Sequence, residues 1–175
     1  MPVYVSEYAA ELRSLGSVVF SANYPTPVFI VKGVTGNLKD NSSGRQGVTM
    51  VTVDVRTVDE MRQASLLVGR VFMIRKGKGA NPGSITLGRT AVNDVCVPEY
   101  SISQRHCLIK TEAGGVSLTD AGSTNGTFVN GTRLLPQKAL LLVDGIEVTL
   151  GRFVFVFHTP PGFRKQLALD PAYTA

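Results

Sequence analysis

Three short stretches of this chain gather the kinds of donor that grip an anion. Gly88-Arg89 closes one apolar run. Ser103-Gln104-Arg105-His106 opens another, fourteen residues after Arg89. Asp120-Ala121-Gly122-Ser123-Thr124-Asn125-Gly126-Thr127 joins two more. Together they offer a guanidinium, several hydroxyls, a carboxamide and the backbone N–H groups of glycine-containing loops. The carboxylate pair of a glycosidase is missing, as is an exposed thiolate–imidazole pair, so no hydrolytic set can be assembled. Donors converging on loop tips at one end of a rigid scaffold bind anions. A phosphorylated hydroxyl amino acid is one such anion, with about −1.5 to −2 charges and three acceptor oxygens. An arginine can satisfy two of those oxygens at once, and hydroxyls and backbone N–H groups can take the rest.

The surrounding sequence must supply the scaffold. From Val71 onward nine short runs follow one another: VFMIRK, SITLGR, NDVCV, HCLIKTE, GVSLTD, TFVNG, TRLL, IEVTLG and FVFVFHT. Turn residues separate them, including Ala113-Gly114-Gly115, Asn125-Gly126, Asn130-Gly131 and Asp144-Gly145. Asn-Gly and Asp-Gly favour type I′ turns, because both central residues take positive φ cheaply. Strands this short and closely spaced predict a β-sandwich. In the last two runs Ile146, Val148 and Leu150 share one face, as do Phe153, Phe155 and Phe157. No long internal repeat is visible.

The first seventy residues read differently. Val5, Tyr8, Ala9, Leu12 and Leu15 recur at helical steps and predict a short helix over 5–15, stopped by Gly16. SVVFSANY and PVFIVKGV read as strands. Residues 36–47 read as an exposed loop and 48–56 as a strand with one apolar face. Thr57 and Glu60 fit a capping box, with Gly69 ending the helix that it would open.

Composition narrows the class. The chain has 175 residues, 43% hydrophobic and 18% charged, enough for one packed domain. No apolar run approaches the roughly 18 residues of a membrane span. The first residues lack a basic start followed by an apolar block, so the chain is expected to be cytoplasmic and its two cysteines reduced. The Asn-x-Ser/Thr triplets at Asn41, Asn125 and Asn130 are then expected to be unused. Net charge is +5, concentrated N-terminally: residues 1–83 hold ten Lys/Arg against six Asp/Glu, and residues 84–159 hold six of each. An anion site in the neutral half must therefore come from a few placed groups rather than a broad field.

The pattern GR, then SxxH, then DxGSTNGTFVNG, closed by LLVDGIEVTLG, resembles the forkhead-associated (FHA) domain over about residues 84–158. The resemblance implies an all-β sandwich of about 11 short, mostly antiparallel strands that binds phosphothreonine peptides through loops at one end. On this alignment Arg89 holds the phosphate, the Ser103 hydroxyl bonds a phosphate oxygen, and Gln104 follows as a backbone donor. Thr124 lines the phosphothreonine pocket, and Asn125 binds the peptide backbone beside it. Gly88, His106, Asp120, Gly122 and Gly126 fall on architectural positions. Arg105 adds a cation whose role the family does not fix. Ser101 stands where some members carry a basic residue that selects an acid downstream, so the target sequence stays open. The implied organisation is a helical segment over 1–19, an FHA domain over 20–159 with 36–70 as an insertion, and a tail over 160–175.

The implied function is non-catalytic recognition of a phosphothreonine protein in bacterial-type Ser/Thr kinase signalling. A kinase or its substrate is the expected partner, with no cofactor or metal and no membrane contact. Two other readings stay open: phosphate-independent assembly, and weak nucleic-acid binding through the basic N-terminal half. Against the latter, Arg75-Lys76-Gly77-Lys78 has no interleaved aromatics and reads as a solvated hairpin tip. GKGANPGS lacks the GK[ST] ending of a phosphate-binding loop. Cys96, His106, Cys107 and His158 lack the spacing of zinc ligands. Cys107 alternates with Ile109 and is expected in the core.

Overall fold

A computed structural model describes residues 3–35 and 62–174. Eleven strands form two sheets. They are β1 (Val28–Val34), β2 (Val71–Met73), β3 (Ile85–Gly88), β4 (Val95–Cys96), β5 (Cys107–Glu112), β6 (Gly115–Asp120), β7 (Thr127–Val129), β8 (Thr132–Arg133), β9 (Ala139–Leu142), β10 (Glu147–Leu150) and β11 (Phe153–His158). One sheet has the order β2-β1-β11-β10-β7-β8, the other β4-β3-β5-β6-β9. Every pairing is antiparallel except β3 with β4.

The period-2 pattern explains the sandwich. Phe153, Phe155 and Phe157 of β11 and Val148 and Leu150 of β10 point between the sheets and are fully buried. There they meet Ile85, Leu87, Cys107, Ile109 and Leu118 from the facing sheet. Cys107 lies in this core as expected, and burial pushes its thiol pKa up.

β1 departs from simple alternation, because Val28 to Val31 are all buried. Phe29 and Val31 face the intersheet core, whereas Val28 and Ile30 face a second apolar cluster. Helices build that cluster on the outer face of the six-stranded sheet. They are α1 (Val5–Asn23), α2 (Pro160–Ala168) and α3 (Pro171–Thr174). Tyr8, Leu12, Phe20, Phe163 and Leu167 close over Val28, Ile30 and Val71. A strand covered on both sides needs a continuous apolar run.

Several expectations are corrected here. Helix α1 is not short and does not stop at Gly16. It kinks there (φ 76°, ψ 161°) and continues to Asn23 with Tyr24 as its cap, so SVVFSANY forms the end of a helix rather than a strand. The physical reason is tertiary: Phe20 packs against Tyr24 and Phe163, which rewards the second helical half. Residues 160–174 are not a loose tail. They fold back as α2 and α3 onto α1, with Pro160 opening α2 and the Thr159 hydroxyl accepting from the Gly162 N–H at 3.3 Å. Strand β9 was not foreseen, since Ala139–Leu142 alternates weakly; it pairs with β6. The 74–84 segment is not a hairpin tip but the crossing from one sheet to the other. Lys76 there is held at 2.9 Å by Asp94.

The expected loop at 36–47, the strand at 48–56 and the capping box at Thr57–Glu60 lie outside the described residues. Residues 62–65 are helical, and Ala64 buries in the intersheet core. Gly69 follows four residues later, its N–H bonded to the Val31 carbonyl at 2.8 Å.

Candidate functional site

Three connections meet at one end of the sandwich: β3–β4, β4–β5 and β6–β7. Their backbones are locked together by a few bonds. Arg89 N–H donates to the Ser103 carbonyl at 2.9 Å, and His106 N–H to the Leu87 carbonyl at 2.8 Å. The contact requires Gly88, because a Cβ built there would lie 2.1 Å from the Gln104 carbonyl oxygen. That carbonyl also accepts from the buried Asn93 amide at 2.6 Å, which sequence reasoning did not single out.

His106 is the hinge pin beneath these loops. It is buried, accepts from the Ser103 N–H through Nδ1 at 3.1 Å, and reaches the Gly126 carbonyl through Nε2 at 3.1 Å. These partners place the proton on Nε2. Burial lowers its pKa, against smaller opposing effects of the Gly126 carbonyl and Asp120. A histidine kept neutral in the fold must gain a proton on unfolding once pH falls through the unfolded value near 6.5. Its contribution to stability is therefore complete above that pH and declines below it. A thermal-melting series from pH 7.5 to 5 should show a fall in Tm that a His106→Gln variant flattens.

Asp120 organises the third loop. Its Oδ1 accepts from the N–H groups of Gly122 (2.8 Å) and Ser123 (2.9 Å). Its Oδ2 accepts from the hydroxyls of Ser123 (2.6 Å) and Thr127 (2.6 Å). Burial alone would raise its pKa, but the four donors outweigh that and hold it below the usual range. So fixed, the loop presents Thr124 and Asn125.

The candidate residues then line one cleft of about 410 Å³, which includes Arg89, Tyr100, Ser103, Gln104, Thr124 and Asn125. Ser103 Oγ accepts from the Thr124 N–H at 3.0 Å, so its own proton remains to donate outward. Asn125 Nδ2 donates to the Ser101 carbonyl at 2.8 Å, and Arg89 Nη1 to the Tyr100 carbonyl at 3.3 Å. Arg89 has no carboxylate partner among the described residues. Arg105 is exposed and does not line the cleft. Asp120 is buried and Gly122 exposed, and neither lines the cleft.

Sequence reasoning missed the support under this site. Glu99 and Arg152 form a buried ion pair at 2.6 Å, with side chains only 6% and 5% exposed. The Arg152 guanidinium also lies 4.5 Å from the Tyr100 ring centroid. Glu99 Oε2 accepts from the Ser101 N–H at 2.9 Å and from the Ser101 hydroxyl. Ser101 Oγ in turn accepts from the Arg152 N–H at 3.1 Å. Ser101 is thus committed inward, and the consecutive carbonyls of Tyr100 and Ser101 hold Arg89 and Asn125. The partners stand 53 positions apart, and no local pattern announces the pair.

The two Asn-Gly turns prove unlike. Asn130 (φ 46°) and Gly131 (φ 80°) both take positive φ, as a type I′ hairpin between β7 and β8 requires. At Asn125-Gly126 only Gly126 does so (φ 86°), and the expected I′ turn is absent. β6 and β7 belong to different sheets and are joined by residues 121–126, so no two-residue hairpin closes at Asn125-Gly126.

The FHA domain profile matches residues 85–151. The oxoglutarate dehydrogenase inhibitor of Corynebacterium glutamicum is 30% identical over 105 residues, 55% of this chain and 71% of that protein. The chain belongs to the FHA family. The glycogen accumulation regulator GarA of Mycolicibacterium smegmatis is 35% identical over 101 residues, 53% of this FHA chain and 61% of GarA. An ABC transporter ATP-binding/permease protein of Mycobacterium tuberculosis, Rv1747, is 42% identical over 76 residues, 43% of this chain but 8% of the transporter. The chain thus spans about three-fifths of GarA and a small part of the transporter. A solved FHA domain from a study of phosphothreonine-dependent FHA domain interactions superposes with a TM-score of 0.46 at 21% identity. It covers 76% of this chain and 95% of its own. In this FHA chain β1, β2 and β11 complete the sandwich outside the matched span.

Proposed function

We propose that this FHA domain is a non-catalytic module that recognises phosphothreonine in a partner protein, within Ser/Thr kinase signalling in the cytoplasm. The carrying observation is the cleft in which Arg89, Ser103, Thr124 and Asn125 converge from three loops, with Arg89 not neutralised by any carboxylate there. Arg89 takes two phosphate oxygens, the Ser103 hydroxyl and the Gln104 N–H take others, and Thr124 walls the pocket. Asn125 fixes the peptide backbone, with its amide plane preset by Ser101. Arg105 contributes charge from the rim. The regulatory names of GarA and of the dehydrogenase inhibitor accord with a binding role, and the partner sought is a kinase or a kinase substrate.

The test is a titration with a phosphothreonine peptide library and its unphosphorylated twin. Preference for the phosphorylated set is expected; equal binding of both would refute the reading. The Asn-Gly pairs give a sharper check. Asn125→Ala should weaken phosphopeptide binding by about 1–1.5 kcal/mol, roughly five- to tenfold. Asn130→Ala should leave affinity unchanged and lower Tm, because Asn130 shapes the β7–β8 turn and ties it to β10, where its Oδ1 accepts from the Glu147 N–H at 3.3 Å. Equal loss of affinity in both folded variants would contradict this division.

A further inference from the structure

A second hollow, of about 680 Å³, runs along the side of the sandwich between the outer strands β2 and β4. Its volume falls within the roughly 300–1,000 Å³ of ligand-binding clefts. Four cations line it (Arg70, Arg75, Lys76 and Lys78) against a single carboxylate, Asp94. That carboxylate is spent. It holds Lys76 at 2.9 Å and also accepts from the N–H groups of Gly77 and Thr86, both at 2.8 Å, and from the Thr86 hydroxyl at 3.1 Å. Arg70, Arg75 and Lys78 have no carboxylate partner among the described residues. Three unmatched charges around one hollow make a local field that the chain's overall balance of +5 does not reveal.

The walls are strand edges. Beyond β1, the outer side of β2 is met by residues 3–5 only as far as Val71, whose N–H donates to the Val3 carbonyl at 2.8 Å. Past Val71, toward Met73, no described strand continues that sheet. On the other wall, among the described residues, β4 pairs only with β3. Charged side chains guard an open edge against self-pairing. The same charges would select an added strand of opposite sign. The lining between them is apolar, from Phe72, Met73 and Val95. Tyr8 is only 2% exposed, so it offers no aromatic face for stacked bases, and this favours a peptide over a nucleic acid.

We propose that this hollow is a second docking site, independent of phosphate, for an extended acidic segment of a partner protein. Backbone groups at the β2 edge pair with the segment, and Arg75 and Lys78 meet its carboxylates. The site sits directly behind the Arg89 loop, since the thiol of Cys96 in its wall contacts the Arg89 carbonyl at 3.4 Å. One partner could therefore occupy both sites, and linked engagement would raise its avidity.

The test uses the full chain and a fluorescein-labelled peptide of alternating Glu and Val, followed by anisotropy at low salt. The comparators are the matching Lys–Val peptide and a single-stranded oligonucleotide of equal charge. Cys96 supplies a second readout: bound peptide should slow its alkylation, whereas Cys107 is fully buried and silent. Saturable binding of the acidic peptide alone is expected, weakened roughly tenfold or more by Arg75→Glu/Lys78→Glu and unaffected by Arg89→Ala. Should the charge reversal unfold the chain, Arg75→Ala/Lys78→Ala carries the same expectation with a smaller loss. Four results would overturn the proposal: no binding, no protection of Cys96, dependence on Arg89, or oligonucleotide binding as tight as the peptide's. Because Arg89→Ala removes only the phosphate grip, failure here and failure of the phosphothreonine reading are separable.

Discussion

Replacing Arg89 with alanine is expected to weaken binding of a phosphothreonine peptide by about 1.5–3 kcal/mol, roughly 10- to 100-fold, while leaving the fold intact. The size follows from the geometry. Arg89 lines the cleft, and among the described residues the one protein hydrogen bond of its guanidinium is a long 3.3 Å bond to the Tyr100 carbonyl. Its removal therefore strands little within the protein, and most of the loss falls on the ligand. Arg89→Lys should recover only part of it, since an ammonium cannot present the paired donors of a guanidinium. Isothermal titration of wild type and both variants, with melting curves as a control, decides the matter. An affinity loss below about twofold would show that the phosphate lies elsewhere.

Breaking the Glu99–Arg152 pair should have the largest effect on stability. Glu99→Ala takes the carboxylate away from a guanidinium that is 5% exposed and removes the acceptor for two Ser101 donors. Removing one partner of a buried pair costs about 3–5 kcal/mol. Urea unfolding measures this directly. The double change Glu99→Gln/Arg152→Met should recover much of the loss, because it keeps an acceptor for Ser101 and leaves no buried charge. Where Glu99→Ala remains folded, phosphopeptide affinity should also fall, although neither residue is placed on the ligand. The carbonyls of Tyr100 and Ser101 set Arg89 and Asn125, and the pair anchors both. A stability loss under about 1 kcal/mol would mean that the other contacts of Arg152, such as the Tyr100 ring, suffice to hold its charge.

The motif residues were legible because each of their jobs is local. Gly88 must be glycine where the Gln104 carbonyl would lie 2.1 Å from a Cβ. Asp120 caps a turn within seven residues of itself, down to Thr127. Strands β10 and β11 alternate cleanly because one face meets the core and the other does not. Where a covering element came from far along the chain, local reading failed. Residues 17–23 look like a strand by composition, yet they fold as helix because Phe20 finds Phe163, 143 positions away. Asn125-Gly126 looks like its neighbour Asn130-Gly131, yet its backbone differs because it lies on a crossing between the two sheets rather than between paired strands.

Residue type, alternation and short spacing were therefore enough for the family and the sandwich. How the candidate donors are held, and what else the surface offers, came from tertiary contacts. The fold buried Glu99 against Arg152, turned Ser101 inward, closed helices over the outer sheet and exposed a basic hollow between two strand edges. These depend on contacts between residues distant in sequence, and neither hydropathy nor local spacing encodes which distant groups will meet.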